Sequence, residues 1–461
     1  MERRGVTGDG IAGRLPLLEA GLPASDALAV RLFPALGQGV EFGLERIRAV
    51  LAEVGNPHER YPTLHIGGTN GKGSVASVIA SVLGAAGLRV GLYTSPHLCS
   101  FRERVQVAGR PAETATFLAA ADELRPAMVR HEPTFFEAAT ALAFKVFELE
   151  AVDVAVVEVG LGGRLDATNV IHPLVSAVTN VALDHAEYLG TDLASIAGEK
   201  AAIAKPGVPL LTCVREPELL DVFRRTAEER GASFHPMHPA EEVRQVEVAA
   251  GGTAFTLDTV WGALALSTPL AGAHQAANAA LAVRVLEHLP ESLRPDADAV
   301  RRGLSSVRWP GRVQIERVGG RTWVFDVAHN AAGVRALAEA LEQLALPRPL
   351  VVLTAVLGDK DWRTMLPPLF RLADRAFLTQ ADSAPLARRW DPAEAGRVVG
   401  SPPPLEIVPD FREALARAGE SAGEGTVVVT GSCHTVGDAL LALGMEPFKE
   451  PFAAPLSTRS A

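Results

Sequence analysis

TLHIGGTNGKGS, residues 63–74, changes within one short segment from an apolar run to a glycine-rich turn. The apolar letters predict a strand, and the stretch 74–87 that follows predicts a helix ending at a glycine. Glycines in such a turn let backbone N–H groups approach phosphate oxygens, because no Cβ intervenes. Lys72 adds a positive charge, and Ser74 adds a hydroxyl suited to a phosphate or its Mg²⁺. The segment therefore predicts a nucleotide phosphate loop.

This loop differs from a strict Walker A sequence at two positions. Ile66 stands where the first glycine belongs, and Gly73 separates Lys72 from the hydroxyl of Ser74. A glycine-rich turn with a purely structural role therefore stays an alternative at this point.

Segments typical of strands and helices alternate on both sides of the loop. The runs at 151–160 and 174–181 are almost continuously apolar, as in parallel strands covered on both faces. Residues 243–267 alternate around two adjacent glycines, which indicates a hairpin. The pattern predicts an α/β fold with a parallel sheet.

Length and pattern together predict two domains, because 461 residues exceed the usual size of one. We expect a P-loop-type ATPase domain with a parallel sheet at 1–308 and a smaller, Rossmann-like α/β domain at 309–461. The Gly- and Pro-rich residues 1–25 are expected to form a flexible leader.

Charge and composition argue against several classes of protein. The 44 Lys+Arg and 54 Asp+Glu give a net charge of −10, without the basic excess typical of non-specific nucleic-acid binding. No segment has the ~18 consecutive apolar residues of a membrane span, and no signal peptide is recognisable. Cys99, Cys213 and Cys433 lack the spacing of a zinc site and suggest a reducing compartment. We expect a cytoplasmic monomer that binds small molecules, neither nucleic acid nor membranes.

Two side chains at predicted strand ends are candidate metal ligands. Glu158 ends an apolar strand, where a buried carboxylate is costly unless it is paired or bound to a metal. His185 follows Asp184 after the next strand, at the sheet edge where open α/β folds place their sites. Mg²⁺ prefers oxygen and accepts an imidazole, so this pair suits a magnesium site. Each residue alone more often has a structural role, but together with the phosphate loop the pair favours the metal site.

Other polar residues allow two interpretations each. Glu199 and Lys200 adjoin on a predicted helix, where a solvated ion pair is the default. Asp326 and His329 close a strand of the second domain. Three further residues share a helix face by their spacing and suit either a base edge or a structural amide cluster: His274, Gln275 and Asn278.

Taken together, these motifs resemble the folylpolyglutamate synthase/dihydrofolate synthase family, within the Mur-ligase superfamily of ATP-dependent amide-forming ligases. The resemblance runs from about residue 42 to 436. GGTNGKGS is similar to the family's phosphate loop, and SPHL with the following RER is similar to a second family loop. Further similar segments are TFFE, GLGGRLDATN, LDHAEYLG, WPGR, DVAHN and DKDW.

The resemblance implies roles for matching positions. The phosphates of ATP would be held by Thr69, Asn70, Gly71, Lys72, Gly73 and Ser74. Other contacts to ATP would come from Asn278, Arg312 and Asp326. Two Mg²⁺ sites would draw on Ser95, Glu158 and His185. Lys200 would be carboxylated, which replaces the ion-pair interpretation, and would act in catalysis with Lys72, Glu158 and His185.

The implied substrate contacts fall in two groups. A pterin pocket would be lined by Thr134, Phe135, Phe136, Glu137, Leu165, Asp166 and Ala167. The incoming glutamate would be bound by His329 and Ser432. ATP would phosphorylate a carboxylate, and the glutamate amine would attack the acyl phosphate inside a closed, water-free site.

LDATN and GSCHTVG are similar to bifunctional bacterial members, so we expect both dihydropteroate and reduced folates as acceptors. Chain extension of folates alone is one alternative. A cell-wall Mur ligase is another, disfavoured by TFFE and the SPHL loop. A non-catalytic nucleotide-binding regulator is a third, disfavoured because Lys72, Glu158, His185 and Lys200 are all present.

Overall fold

The computed structural model describes residues 43–398 and 403–448. The predicted leader lies outside them, as does Phe42 at the start of the predicted first helix. The strands are β1 Thr63–Gly67, β2 Val90–Tyr93, β3 Val105–Val107, β4 Arg110–Pro111, β5 Val154–Glu158, β6 Val175–Val178, β7 Pro209–Thr212, β8 Ser233–Pro236, β9 Val243–Ala249, β10 Gly252–Thr259, β11 Gly262–Thr268, β12 Gln314–Val318, β13 Arg321–Phe325, β14 Leu350–Thr354, β15 Arg375–Leu378, β16 Leu405–Ile407 and β17 Thr426–Thr430.

The α-helices pack on these strands. In chain order they are α1 Glu45–Glu53, α2 Lys72–Ala85, α3 Thr114–His131, α4 Phe135–Leu149, α5 Ala186–Leu189, α6 Leu193–Ala201, α7 Pro217–Arg230, α8 Pro239–Glu242, α9 Ala273–Glu287, α10 Ala297–Ser306, α11 Ala331–Gln343, α12 Trp362–Phe370, α13 Pro392–Val398, α14 Phe411–Ala422 and α15 Cys433–Ala442. No helix in the described ranges is long and apolar enough to cross a membrane.

The first sheet has the order β4-β3-β2-β5-β1-β6-β7-β8 and is parallel from β2 to β8. Strands β1, β5 and β6 are buried along their whole length, because helices cover both faces. The predicted parallel sheet is therefore confirmed. In the register, Ile66 lies beside Glu158, so the glycine-rich loop and this carboxylate leave the sheet at the same edge.

A small antiparallel sheet, β11-β10-β9, follows the first sheet. The predicted hairpin is present between β9 and β10, but the chain makes a second turn at Gly262 and adds a third strand. At Gly262, φ is +94°, a conformation that favours glycine and permits the tight return.

The second large sheet has the order β12-β13-β17-β14-β15-β16, and only β12 runs antiparallel to its neighbour. Strands β14 and β17 are wholly buried between helices. This confirms the predicted second α/β unit. Asp326 follows β13 directly, at the edge of the sheet that faces the first unit.

Candidate active site

The glycine-rich loop is fixed by close contacts that admit only glycine at two positions. At Gly68, φ is +136° and a Cβ would lie 1.9 Å from the hydroxyl oxygen of Thr179. At Gly71, φ is +83° and a Cβ would lie 2.6 Å from Oδ1 of Asn278. The backbone N–H of Asn70 donates to Oδ1 of Asn180 at 3.0 Å. The loop is thus held by residues that follow β6 and by α9.

Two side chains at this loop, Lys72 and Ser74, could contribute to binding an anion. Nζ of Lys72 donates to the carbonyls of Gly68 and Thr69, at 3.1 and 3.2 Å. The hydroxyl of Ser74 is buried and has no hydrogen-bond partner in the described part of the chain. A buried hydroxyl without a partner is costly, so a ligand at the helix start would satisfy it.

The segment that joins the two units packs on this loop. A Cβ at Gly73 would lie 2.4 Å from Cζ2 of Trp309, so the indole occupies the space above the first turn of α2. The guanidinium of Arg312 lies 5.6 Å from the centre of the same ring. Arg312 also lines the cavity in front of the loop.

Glu158 lies at the floor of that cavity, 4 % exposed. Its Oε2 accepts a hydrogen bond from the backbone N–H of Ser95 at 3.0 Å. Burial raises the pKa of Glu158, and the charge of Lys72 is the largest opposing influence. A cation held beside this carboxylate would favour its charged form.

Lys200, on α6, is buried against the same loop. It is 4 % exposed, and its Nζ donates to the carbonyl of Gly68 at 3.0 Å. Burial, followed by the nearby charge of Lys72, lowers the pKa of Lys200 to about 7. The solvated ion-pair interpretation is wrong for this lysine, since Glu199 pairs instead with Arg164 at 2.8 Å. A large fraction of Lys200 is therefore an uncharged amine near neutral pH.

Asp184 connects the two units. Its carboxylate lies 2.5 Å from Nζ of Lys360, and it accepts a hydrogen bond from Nδ2 of Asn330 at 3.0 Å. Nε2 of His329 lies 3.4 Å away. Burial opposes ionisation, but the His329 hydrogen bond and the Lys360 charge hold the pKa of Asp184 well below its usual range. We call these four residues the junction cluster.

His185 lies at the border of the junction cluster, with its Nε2 3.5 Å from Nζ of Lys360. Burial is the main cause that lowers the pKa of His185 to about 4, so the imidazole is neutral at pH 7. Neutral imidazole is the form that binds metals. Among the described residues, no group of three or more His, Cys, Asp or Glu is arranged to hold a metal ion. Any cation here would therefore need hydroxyl, phosphate or water ligands besides Glu158 and His185.

The opposite wall of the cavity comes from the second unit and from α9. Asp326 is buried and accepts from the backbone N–H groups of Val313 and Ala328, at 2.9 and 2.8 Å. Burial raises the pKa of Asp326, opposed chiefly by Arg312. Nδ2 of Asn278 donates to Oε1 of Gln275 at 3.1 Å. The three residues proposed for ATP contacts, Asn278, Arg312 and Asp326, thus line one cavity with the phosphate loop.

A second cavity adjoins the first and contains most of the residues expected in a pterin pocket. It is lined by Thr134, Phe136, Glu137, Leu165, Asp166 and Ala167, together with Arg104, Lys360, Arg388, Ser432 and His434. Phe135, also expected there, does not line this cavity in the structure, and its role in substrate binding stays a prediction. Its ring packs edge-on against Phe101, with centroids 6.0 Å apart.

Two of these lining residues also organise a helix start. Glu137 donates its backbone N–H to Oγ1 of Thr134 at 3.3 Å and accepts from the Thr134 N–H at 2.7 Å, which caps α4. Arg46 pairs with Glu137 at 3.0 Å. Asp166 similarly accepts from the N–H groups of Leu161 and Thr168. These residues fix the cavity wall whether or not they touch a ligand.

The two cavities share a wall. Residues that line both include Ser95, Gly160, His185, His329 and Cys433. The second cavity therefore adjoins the first directly at these residues.

Sequence reasoning missed several residues of this site. Lys360 and Asn330 belong to the DKDW and DVAHN segments, whose sequence alone assigns neither residue a role. Arg104 was noted only as part of a motif, yet it is 9 % exposed in the second cavity, with Nε 2.9 Å from Nδ1 of His97. A buried arginine or lysine cannot be recognised before the fold places it.

Comparisons with known proteins agree with this arrangement. Residues 66–286 match the Mur ligase middle domain, and residues 311–433 match the Mur ligase glutamate ligase domain. The dihydrofolate synthase/folylpolyglutamate synthase of Bacillus subtilis is 35 % identical over 413 residues, 87 % of this chain and 94 % of that protein. The Escherichia coli protein of the same name is 33 % identical over 86 % and 90 %.

Solved structures agree as well. Mycobacterium tuberculosis folylpolyglutamate synthase complexed with ADP superposes with a TM-score of 0.84 at 34 % identity, covering 92 % of this chain and 100 % of that one. E. coli FolC in complex with DHPP and ADP gives 0.80 at 31 % identity, covering 92 % and 98 %. The chain therefore belongs to the dihydrofolate synthase/folylpolyglutamate synthase family of Mur ligases, and it is an ATP-dependent, amide-forming ligase.

Proposed function

We propose that this chain joins L-glutamate to dihydropteroate and also to the glutamate tail of reduced folates, through an acyl phosphate. The observation that carries the proposal is the shared wall of the two cavities at Ser95, His185 and His329. An acceptor in the second cavity would present its carboxylate to the terminal phosphate of ATP in the first. In-line transfer needs such an approach.

The chain's own residues would divide the work in the nucleotide cavity. The backbone and hydroxyl groups from Thr69 to Ser74 would bind the phosphates, with Lys72 turning from its loop carbonyls toward the transferred group. Asn278, Arg312 and Asp326 would hold the remainder of the nucleotide. Fixed donors of this kind stabilise developing charge without reorganising during the reaction.

Magnesium would be held by Ser95, Glu158 and His185, in up to two sites. The donor set fits a hard cation, and the unpartnered hydroxyl of Ser74 lies in the same cavity. Bound Mg²⁺ neutralises phosphate charge and aligns the transferred group. The chain's task is to present these ligands from a rigid sheet edge.

We also propose that Lys200 is carboxylated. An uncharged amine attacks dissolved CO₂, forming the N–C bond of a carbamate and releasing a proton, and burial with a lowered pKa favours that form of the amine. The modification would replace an only partly protonated amine by an anion beside Lys72 and the phosphate loop. An anion at this position would favour cation binding in front of Glu158 and His185.

The second cavity would bind the pterin end of the acceptor, and the incoming glutamate would lie near His329 and Ser432. The ring of Phe136 and the wall around Leu165 and Ala167 provide apolar contact, while Asp166 provides a carboxylate. The two domains would meet at 308/309, where Trp309 packs on the loop. A monomer acting in the cytoplasm remains our expectation.

Phosphate release tests the proposal. Purified protein with Mg-ATP and L-glutamate should release phosphate when either dihydropteroate or tetrahydrofolate is added, and not without an acceptor. Release with tetrahydrofolate alone would restrict the protein to chain extension. No phosphate release with either acceptor, from protein that still binds ATP, would contradict the proposal.

A further inference from the structure

A third cavity lies at the far end of the second unit. It is lined by Arg321, Trp323, Arg412, Leu415, Gly419 and Leu443. Arg321 begins β13, whereas Asp326 follows the end of that strand in the nucleotide cavity. At ~3.3 Å per residue the two positions are about 16 Å apart along the chain. The third cavity is therefore distinct from the active site.

The guanidinium of Arg321 has no hydrogen-bond or ion-pair partner among the residues that the structure describes. It makes no ion pair and no hydrogen bond to a described residue, and its Nε is buried. An arginine side chain carries five N–H donors, so burying the Nε of this half-buried residue without an acceptor is costly. The chain contains 54 Asp and Glu residues, yet none in the described ranges pairs with this one.

The neighbouring helix is shaped to admit this guanidinium. A Cβ at Gly419 would lie 2.4 Å from Nη1 of Arg321 and 3.6 Å from Cη2 of Trp323. Arg412, about two helical turns before Gly419 on α14, is exposed and also makes no ion pair with the described residues. The cavity thus combines two unpaired guanidinium groups with the indole of Trp323 and the aliphatic side chains of Leu415 and Leu443.

We propose that this cavity binds a small oxyanion, either a phosphate or a carboxylate group, with Arg321 as its principal ligand. A guanidinium group can bind either kind of oxyanion through bidentate hydrogen bonds, which are stronger than hydrogen bonds between neutral groups. Arg412 adds a second charge from the solvent side. The inference stands independently of the proposed ligase reaction.

Calorimetric titration at low ionic strength tests the site. The protein is first saturated with Mg²⁺ and AMPPCP, so that the phosphate loop is filled, and is then titrated with inorganic phosphate or with succinate. Arg321→Gln should weaken binding at least about tenfold and Arg412→Gln about threefold, because each removes a charged donor. Arg371→Gln, an exposed arginine of the same unit, should change the affinity less than about twofold.

The titrations show whether the cavity binds an oxyanion and which kind it binds. Binding of phosphate but not succinate, or the reverse, identifies which oxyanion the site takes. No saturable binding of either, or equal binding by wild type, Arg321→Gln and Arg412→Gln, would overturn the proposal. The exposed Arg412 tolerates replacement, so its variant keeps the test valid if Arg321→Gln does not fold.

Discussion

The phosphate loop and the junction cluster are built in opposite ways, although both face the nucleotide cavity. The loop is local, because Lys72 bonds to carbonyls three and four residues away. The junction cluster is long-range, because Asp184 meets Asn330 and Lys360 from the other unit. Phosphate binding is therefore encoded in one segment, whereas assembly of the reacting groups depends on the docking of two domains.

The largest expected effect lies in the local region. Lys72→Met should lower turnover by about 10³-fold or more, because the charge facing the transferred phosphate is lost. The unfolding free energy should change much less than turnover, because the hydrogen bonds of Lys72 to described residues go to carbonyls of its own loop, and its charge favours ionised Glu158 but disfavours charged Lys200. Phosphate release and urea unfolding measure the two quantities. A loss of turnover below tenfold would remove the loop from catalysis.

The junction should respond in both stability and activity. Asp184→Asn leaves Lys360, which is 8 % exposed in its side chain, without its carboxylate. Breaking a buried pair in this way costs about 3–5 kcal/mol, so we expect the docking of the domains to weaken and turnover to fall about 100-fold. Limited proteolysis between residues 306 and 312 reports docking.

Two controls separate the pair from its surroundings. Asp359→Asn removes a partially exposed ion pair with Arg388 and should cost less than about 1 kcal/mol. Adding Lys360→Met to Asp184→Asn should restore part of the stability, because no unpaired charge remains. If the loss of unfolding free energy in the double variant equals the sum of the losses in the two single variants, the two side chains do not act as a pair.

The segment around Trp309, which joins the two units, packs on the phosphate loop. Gly73→Ala tests whether this packing affects nucleotide binding. The new methyl would lie 2.4 Å from Trp309, so the linker must shift and nucleotide affinity should fall about 10- to 30-fold. Gly84→Ala, in the same helix with open space around it, should leave affinity unchanged and change stability by less than about 1 kcal/mol. Similar affinities for both variants would contradict the packing argument.

A smaller effect is expected in the pH dependence of the unfolding free energy, through the buried His65 of the first sheet. Burial lowers the pKa of His65 to about 3, so the native state stays unprotonated where the unfolded chain takes up a proton. Stability contributed by this residue is therefore present above pH 6.5 and is lost as the pH falls below it. Between pH 6.5 and 5.5 the loss is about 1 kcal/mol. His65→Gln should reduce the pH dependence of urea unfolding by that amount; an unchanged slope would contradict the assignment.

The sequence predicts the local region well for a physical reason. A strand, a glycine turn and a helix start depend on neighbouring residues. Residues 63–87 therefore predict the loop, and the apolar runs predict the parallel sheet. Even there the helix begins at Lys72 rather than Ser74, because Gly71 in a left-handed conformation already turns the chain.

Tertiary placement defeats the same reasoning elsewhere. Helix α3 contains Pro126, which removes a backbone donor and obscures the helical pattern, yet packing against α4 maintains the helix. The sequence around Lys200 predicts a surface ion pair with Glu199. In the structure Lys200 is buried, and its Nζ donates to the carbonyl of Gly68. Phe135 and Phe136 are adjacent letters, but only the ring of Phe136 lines the second cavity.

The central claim is that an acceptor carboxylate is phosphorylated where the two cavities meet. Dihydropteroate with both carboxylate oxygens labelled with ¹⁸O tests this claim when incubated with Mg-ATP and L-glutamate. An acyl phosphate predicts that each phosphate released carries one ¹⁸O atom, since the amine displaces a phosphate bearing a former carboxylate oxygen. Unlabelled phosphate accompanying amide formation would contradict the account.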